Sequence, residues 1–414
     1  MGDIEFINSG DLFFERLWNM IDRSKTNCWI LTYHMAESYI ADETIRRLIN
    51  AAERGVDVVL YVDWLNFYPS KHLIEKLRLQ GGKVETLNDM NIYTRYINNF
   101  GVFTKNIFKR YHEKLCVIDN QVTVGSANFD IEYGQLLFGN DKFYDLNIIL
   151  TKKCITDAQN LFLEIAGRYN YKLTPHQMEE IEDNKLDLLS CEPYYFRHDI
   201  QEYLLYKINR ATKRIILAQG YYYNIKKVQK ALKRAAKRGV QIELLTTRYR
   251  DQMAYKDLSN AKITKNLIKI GASIYEMSDR ILHSKAYIID DDIIAGSFNN
   301  DKWSWSMNSE LSLLCTDKKF THLAMDIIDD IKQNSLDIKL NNTKFVAGAY
   351  AWFWKWFLNT SEIMMNTKKN YKYFLLNAYV YDESNPIEER FALRMQRIKN
   401  FSVKISTLSN LLCS

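Results

Sequence analysis

The segment His112-Glu-Lys-Leu-Cys-Val-Ile-Asp-Asn-Gln-Val-Thr-Val-Gly-Ser-Ala-Asn128 has a second copy further along this chain. That copy runs from His283 to Asn299, and in both copies the histidine and the asparagine stand 16 positions apart. The lysine, aspartate, glycine and serine keep the same offsets as well. A single His-x-Lys triplet arises easily by chance in a lysine-rich chain, but two matching six-residue patterns do not. The sequence is therefore built from two related halves.

The repetition extends upstream of the two patterns. Ala51-Ala-Glu-Arg-Gly-Val56 and Ala235-Ala-Lys-Arg-Gly-Val240 each indicate the end of an amphipathic helix, a glycine stop and the start of a strand. Each half is predicted to run strand, helix, strand, helix, strand before its pattern, which is typical of an α/β sheet covered by helices. The two Ala-Ala segments are 184 residues apart, but the two histidines are 171 residues apart. The first half is therefore expected to contain about 13 extra residues, within 88–111.

The chain is long enough for two domains, and we predict four regions. The acidic, polar stretch between Pro175 and Pro193 is the best candidate for a linker. The predicted regions are a first half at 1–172, a linker at 173–194, a second half at 195–335, and a helical C-terminal region at 336–414 that could lie at a membrane interface.

Composition restricts the class of protein. With 47% hydrophobic residues the chain is globular, and a formal charge of +6 suits an anionic partner, either phospholipid or nucleic acid. The six cysteines show no metal-ligand spacing, which favours free thiols in a reducing compartment. The N-terminus has acids where a presequence has basic residues, and Phe6 stands where a myristoylation signal needs Ser or Thr. No apolar run reaches the roughly 18 residues of a transmembrane helix, so any membrane contact is expected to be peripheral.

The two patterns bring together groups suited to a phosphate diester. Strand alternation sends His112 and Lys114 to the same face, and a hairpin would return Asn128 beside His112. Ammonium, amide and hydroxyl groups can neutralise the non-bridging oxygens without blocking a nucleophile, so the site needs no metal. One neutral imidazole can attack phosphorus, and the second, protonated, can donate to the leaving alkoxide. The residues assigned to catalysis are His112, Lys114, Asp119, His283, Lys285 and Asp290, and those assigned to phosphate binding are Asn128, Asn299, Ser126 and Ser297.

Carboxylates are needed to hold each histidine in one tautomer. Glu310 stands 27 residues after His283, and Asp145 stands 33 residues after His112, each beginning a strand-like run. We assign both to histidine orientation. Asp119 and Asp290 belong to the repeated pattern, but their position at strand ends favours structural ion pairs or turn contacts over contact with phosphate.

The doubled pattern resembles the HKD signature of the phospholipase D superfamily, over about residues 4–320. Within that superfamily the chain is most similar to the bacterial-type cardiolipin synthases, in Gly-Ser-Phe-Asn299 and Asn-Ser-Glu310 among other segments. The resemblance implies two similar α/β sandwich halves with pseudo-twofold symmetry, a shared active-site cleft and no cofactor. It also implies phosphatidyl transfer from phosphatidylglycerol to a second lipid, with His112 as nucleophile and His283 as acid and base.

Two features depart from the family pattern. Five residues separate Asp119 from Gly125, and likewise in the second copy, where the family commonly has six. The hairpin turn is therefore expected to be one residue shorter. The second copy continues Asn299-Asn-Asp301 rather than with a hydrophobic residue and Asp.

Two aromatic segments bear on the partner. Residues 345–358 hold three tryptophans and Lys355 in the most hydrophobic stretch, which suits the headgroup boundary or a core helix. Residues 92–111 mix aromatic and basic side chains and could guide anionic lipids or stack single-stranded nucleic acid.

Three hypotheses remain open from the sequence. The first is a cardiolipin synthase-type phosphatidyltransferase, placed peripherally on the cytoplasmic face of a bacterial inner membrane or, second, on a mitochondrial inner membrane. It would use anionic phospholipid substrates and no obligate protein partner, and nucleic acid is disfavoured because small nucleases of the superfamily resemble a single half. The second is a phospholipase or nuclease with water as acceptor. The third is a binding protein that keeps the scaffold without activity, against which the intact histidines, lysines and asparagines argue.

Overall fold

The computed structural model describes residues 3–88, 109–223, 225–247 and 266–338. All of these belong to one compact unit, Met1–Leu358. The aromatic segment 345–358, nearly all of segment 92–111 and nearly all of the predicted C-terminal region lie outside the described residues.

The α-helices of the described residues begin and end at chemically expected positions. Ser9 and Ser38 cap the first two helices by accepting from the backbone N–H groups of Leu12 and Ala41. The predicted glycine stops are confirmed, because Gly55 and Gly239 take φ values of 85° and 83° that a side chain would disfavour. In chain order the helices are α1 (Gly10–Arg23), α2 (Tyr39–Glu53), α3 (Lys71–Leu79), α4 (Ile155–Arg168), α5 (Asp199–Arg210), α6 (Lys226–Lys237), α7 (Lys302–Ser306) and α8 (Thr321–Gln333).

Most strands fall into two large sheets, one in each half. The first sheet contains β1 (Ile4–Ile7), β2 (Asn27–Thr32), β4 (Asp57–Asp63), β6 (Lys83–Leu87), β7 (Leu115–Ile118), β8 (Gln121–Gly125) and β10 (Asn147–Thr151). The second contains β11 (Leu186–Glu192), β12 (Arg197–His198), β13 (Arg214–Gln219), β14 (Gln241–Thr247), β15 (Ser273–Met277), β17 (Lys285–Ile289), β18 (Asp292–Gly296), β19 (Glu310–Cys315) and β20 (Ser335–Asp337). Short strands β3 (Met35–Ala36), β5 (Phe67–Tyr68), β9 (Phe143–Tyr144) and β16 (Ile281–Leu282) form two further pairs.

Strand order shows that the two sheets repeat one design. The first runs β1-β10-β8-β7-β2-β4-β6, and the second contains the matching run β11-β19-β18-β17-β13-β14-β15. In both, three parallel strands adjoin an antiparallel hairpin that carries the repeated pattern. The predicted α/β fold with two similar halves is thereby confirmed.

The core lies mainly between the sheets. One cluster joins the facing sides of the two sheets with the apolar sides of α4 and α8; it includes Trp29, Phe162, Ile216 and Ile328. A second cluster packs α1, α2 and α3 on the outer side of the first sheet. The two halves therefore share one buried interior, which fixes the edges of the sheets where the histidines lie.

The spacing between elements refines the predicted difference in length between the two halves. Leu87 and His112 are 25 positions apart, whereas Met277 and His283 are 6 apart, so the first half has a larger surplus within 88–111 than predicted. The second half offsets part of it, because 26 positions separate Thr247 from Ser273 where the first half has 20 between β4 and β6.

The predicted linker is partly wrong. Residues Leu186–Glu192 form β11, which pairs with β19 because Leu189 and Cys191 point into buried positions. The connection without helix or strand therefore spans 169–185. At the other boundary, β20 extends the second sheet to Asp337, two residues into the predicted C-terminal region.

Candidate active site

Each histidine of the repeated pattern is seated by the backbone of the opposite half. The His112 N–H donates to the carbonyl of Ser309 at 2.9 Å, and the Ser309 N–H donates back to Arg110 at 2.8 Å. The His283 N–H donates to the carbonyl of Tyr144 at 2.8 Å. Both histidines stand just before their hairpins rather than inside a strand. The carbonyl that receives each histidine belongs to the residue immediately before Glu310 or Asp145.

The imidazole–carboxylate pairs consequently cross between the halves. The Nδ1 atom of His112 lies 2.8 Å from Oε2 of Glu310, and Nδ1 of His283 lies 2.7 Å from Oδ1 of Asp145. The sequence placed both carboxylates near the site but did not show that each would serve the histidine of the other half. A carboxylate at Nδ1 favours the tautomer that leaves Nε2 as the reactive nitrogen.

The two lysines bind differently to the motif histidines. The Nζ atom of Lys114 donates to the His112 carbonyl at 2.7 Å. The Nζ atom of Lys285 donates to the His283 carbonyl at 2.6 Å and also lies 2.8 Å from Nε2 of that ring. Among the described residues, His112 Nε2 has no comparable partner. The two halves therefore hold chemically distinct histidines.

Burial sets the protonation of this cluster. The exposed fractions of His112 and His283 are 8% and 5%, and desolvation, with the nearby lysine charges, lowers the pKa of both to about 4. Burial alone would raise the pKa of Glu310 and Asp145, but the adjoining histidine and lysine groups hold both below the usual range. At neutral pH the rings are neutral and the carboxylates ionised, so Nδ1–H donates and Nε2 keeps its lone pair.

The two motifs form one electrostatic unit. The charge of Lys285 lowers the pKa of His112 in the other half, and the charge of Lys114 lowers that of His283. Burial, reinforced by the charge of Lys285, lowers the pKa of Lys114 to about 7. The four side chains thus face a common buried region, where an anion would relieve the repulsion between the ammonium groups.

We predict that turnover at low substrate concentration falls as the pH rises, because His283 must gain a proton in the complex, and that it falls more steeply above about pH 7. The lowered pKa means that Lys114 loses its proton near neutrality, and the uncharged amine no longer attracts the substrate anion. On the acid side, activity should persist until about pH 4, where the nucleophilic ring becomes protonated. Rate measurements across pH in detergent micelles test this. In Lys114→Arg the alkaline limit should move upward because a guanidinium stays charged; an unchanged limit would assign it to another group.

The serines of the pattern do not face a phosphate site, contrary to prediction. The Ser126 hydroxyl donates to Asp145 Oδ1 at 2.6 Å, and the Ser297 hydroxyl donates to Glu310 Oε2 at 2.5 Å. Both side chains are fully buried. Because the hydroxyl hydrogen is committed to the carboxylate, these serines position the group that orients each histidine.

The aspartates of the pattern also lie away from the site, which corrects their assignment to catalysis. Asp119 accepts from the backbone N–H groups of Lys25, Thr26 and Asn27, and Asp290 accepts from those of residues 212–214. Both occupy two-residue hairpin turns with φ of 46° and 53°. A strand of about 13 Å separates each turn from the lysine of its motif. The turns are short, as the five-residue spacing predicted.

We expect Asp290→Ala to lower the free energy of unfolding by about 1–2 kcal/mol, because it removes charge-assisted hydrogen bonds to backbone groups that are partly exposed. The rate constant of the folded enzyme should change less than about threefold, which is below the effect of losing a group that contacts substrate. Urea denaturation and activity assays on the same sample measure both. A large loss of rate without loss of stability would return Asp290 to the catalytic set.

The two asparagines of the pattern are buried and differ in their contacts. Asn128 Nδ2 donates to the Tyr133 hydroxyl at 2.7 Å. The Oδ1 atoms of Asn128 and Asn299 are buried and have no hydrogen-bond partner in the described part of the chain. A phosphate role for both amides stays a prediction, and it requires each Nδ2 group to turn toward the bound anion.

The glycines of the pattern permit the close approach that seats the carboxylates. A Cβ atom on Gly125 would lie 2.1 Å from Asn147 Oδ1, and one on Gly296 would lie 2.3 Å from the Leu311 carbonyl. Neither position can accept a side chain without moving β10 or β19, the strands that follow Asp145 and contain Glu310.

Several contributing residues were not predicted from the sequence. Ser304 and Asn308 donate to Glu310 Oε1 at 2.6 and 3.3 Å, which fixes this carboxylate more fully than Asp145. The Tyr33 ring meets the His112 ring edge-on at 4.7 Å, and Tyr133, Phe143 and Tyr221 surround His283. The sequence repeat was the one signal that could have pointed to these positions. None of these residues recurs at the equivalent position of the other half, so the repeat did not reveal them.

The described ranges contain neither a cluster of metal ligands nor a membrane-spanning helix. Within residues 3–88, 109–223, 225–247 and 266–338, no group of three or more His, Cys, Asp or Glu side chains is arranged to hold a metal ion. None of the helices in these ranges is long and apolar enough to span a bilayer.

Comparison with known proteins agrees with the geometry. Cardiolipin synthase B of Salmonella typhi is 27% identical over 350 residues, which cover 80% of this chain and 81% of that protein. The minor cardiolipin synthase of Bacillus subtilis (strain 168) is 26% identical over 344 residues, 81% of this chain and 82% of its own. A phosphatidylserine synthase structure from Haemophilus influenzae Rd KW20 has the same fold, with a TM-score of 0.66, 13% identity, and coverage of 88% of this chain and 95% of that one. The family model described as cardiolipin synthase, phospholipase D-like domain, matches residues 17–164 and 204–332, and this chain therefore belongs to that family.

Proposed function

We propose that the protein is a phosphatidyltransferase of the cardiolipin synthase type, which moves a phosphatidyl group from phosphatidylglycerol to the hydroxyl of a second lipid. One observation carries the proposal: two neutral histidines, each bonded to a carboxylate of the opposite half, share a buried site with Lys114 and Lys285. Family membership and the names of the bacterial relatives support a lipid phosphodiester as substrate.

In the first step, Nε2 of His112 attacks phosphorus and the bond to the glycerol oxygen breaks. His283, protonated in the complex, gives its proton to the departing alkoxide. The free ring has a lowered pKa, but the bound phosphodiester anion raises it because a nearby negative charge favours the charged form. His112 is the better nucleophile of the two, since Lys285 lies against Nε2 of His283.

In the second step, neutral His283 takes the proton of the incoming lipid hydroxyl, whose oxygen attacks phosphorus. The bond between phosphorus and His112 then breaks, and the ring returns to its neutral form. Lys114 and Lys285 neutralise the non-bridging oxygens in both steps, and Asn128 and Asn299 supply amide donors. Burial strengthens these interactions and limits competition from water.

The protein would meet its substrates at a membrane surface. The relatives named above are bacterial cardiolipin synthases, which supports a place at a bacterial membrane. Peripheral attachment to the cytoplasmic face of the inner membrane is part of the proposal.

The test uses purified protein with phosphatidylglycerol in detergent micelles, with and without a chelator of divalent metals. Release of glycerol together with a diphosphatidyl product is the expected result. Phosphatidic acid as the sole product would instead indicate a hydrolase. Cleavage of single-stranded DNA in a parallel reaction, without lipid turnover, would overturn the proposal in favour of a nuclease.

A further inference from the structure

Helix α6 presents a row of lysines to solvent. Lys226, Lys230, Lys233 and Lys237 recur at helical spacing, so they lie along one stripe about 17 Å long, while Val228, Ala231, Leu232 and Ala235 face the core. We call the four lysines the α6 stripe. All four are exposed, and none has an ion-pair or hydrogen-bond partner among the described residues.

The charge of this helix is out of proportion to the rest of the chain. Lys226–Lys237 contains six lysines and arginines and no acid, a charge equal to the formal net charge of +6 of all 414 residues. The remainder of the chain is therefore balanced. A concentration of this kind produces a local positive potential that mild net charge would not.

The first half provides an internal comparison. Helix α2 occupies the equivalent place, and its residues matching the α6 stripe are Asp42, Arg46, Ile49 and Glu53. Arg46 pairs with Asp42 at 3.8 Å, and Ile49 is buried. The fold therefore needs neither a lysine at these positions nor an uncovered surface there. The α6 stripe is a property of the second half alone, and packing does not explain it.

A short stretch of chain connects the start of the α6 stripe to the active site. Tyr221, in the loop that leads from β13 to α6, has its ring 5.9 Å from that of His283. The Tyr223 N–H donates to the Asn300 carbonyl at 2.7 Å, which ties the loop to the residue after Asn299. Five residues of chain reach at most about 17 Å, so Lys226 lies within that distance of the aromatic wall of the site.

We propose that the α6 stripe docks the enzyme on an anionic phospholipid surface and holds the edge of the active site at the headgroups. Clustered lysines on an amphipathic helix are suited to anionic lipid heads. Binding of single-stranded nucleic acid depends on aromatic stacking, and α6 contains no aromatic residue. The choice of lipid rests on the proposed function.

The test compares two variants of the full chain by sedimentation with vesicles. Lys226→Gln/Lys230→Gln/Lys233→Gln/Lys237→Gln removes the α6 stripe while keeping helix propensity. Each lysine near an anionic surface is worth roughly fivefold in binding, so we expect at least about a tenfold loss on phosphatidylglycerol–phosphatidylcholine vesicles. The matched control removes four exposed, dispersed lysines and should lose less than about threefold; it is Lys25→Gln/Lys71→Gln/Lys76→Gln/Lys172→Gln.

Three further readouts decide the proposal. The ratio of transfer on vesicles to transfer in micelles should fall in the α6 variant and not in the control. Equal vesicle binding by the two variants would overturn the proposal, as would loss of single-stranded DNA binding with vesicle binding intact. Failure of the wild-type protein to turn over lipid in micelles would refute the proposed function instead. Vesicle sedimentation does not depend on turnover, so it would still test whether the α6 stripe binds lipid.

Discussion

Replacing His112 or His283 with asparagine should lower the rate of phosphatidyl transfer about 10³-fold or more while the protein stays folded. Either change removes an imidazole Nε2 that the two-step reaction needs. Asparagine keeps an N–H donor near the position of Nδ1. Glu310 or Asp145 therefore retains a hydrogen-bond partner, and no buried carboxylate is left unpaired. Steady-state rates in micelles and circular dichroism give the two measurements. The control is His322→Asn, at an exposed position in the first turn of α8, which should keep its rate.

The two variants should differ in the covalent intermediate. Phosphatidylglycerol with a radioactive phosphate, mixed with His283→Asn and quenched in alkali, should leave label on His112. His112→Asn should carry no label. Label on His283 in the second variant would show that the roles are exchanged, and no label on wild-type protein quenched during turnover would argue for direct transfer without a phosphohistidine.

Glu310→Gln and Asp145→Asn should each reduce the rate by about 10²–10⁴-fold, although neither side chain touches the substrate. Losing the carboxylate leaves the histidine free to adopt the wrong tautomer and removes the charge that stabilises its protonated form. The effect must appear on the histidine of the opposite half. Nitrogen-15 NMR of Glu310→Gln should show a changed tautomer for His112 and an unchanged one for His283.

The rates of a double-variant cycle test whether each carboxylate acts through the histidine of the opposite half. Adding Glu310→Gln to His112→Asn should lower the rate little further, because the ring that the carboxylate orients is already absent. If the two losses simply multiplied, Glu310 would act on catalysis by a route other than His112.

The repeated pattern sufficed to predict the paired halves, both histidines and both lysines, and the need for a carboxylate at each histidine led to Asp145 and Glu310. The pattern could not show which way each side chain points. Ser126 and Ser297 were assigned to phosphate because their spacing put them near it, but the hydroxyls turn inward to Asp145 and Glu310. Spacing within one half also says nothing about which surface of the other half it meets. The crossed pairs arise from contacts of His112 with Ser309 and of His283 with Tyr144, about 197 and 139 positions away in the chain.

Local composition misled in two further places. The acidic run before Pro193 concealed β11, whose strand character depends on pairing with β19, between 119 and 129 positions later. Ser304 and Asn308 reach Glu310 only because the short helix α7 turns the chain back over it. Both are tertiary effects for which no local pattern exists.

The exchange of carboxylates ties the history of the two repeats together. Each half supplies the carboxylate that orients the histidine of the other half. Neither half can therefore be lost, or lose its carboxylate, without stopping the reaction at the other half's histidine. A chain severed between Arg168 and Leu186 would consequently yield two inert fragments, and turnover would return only when both pieces reassembled.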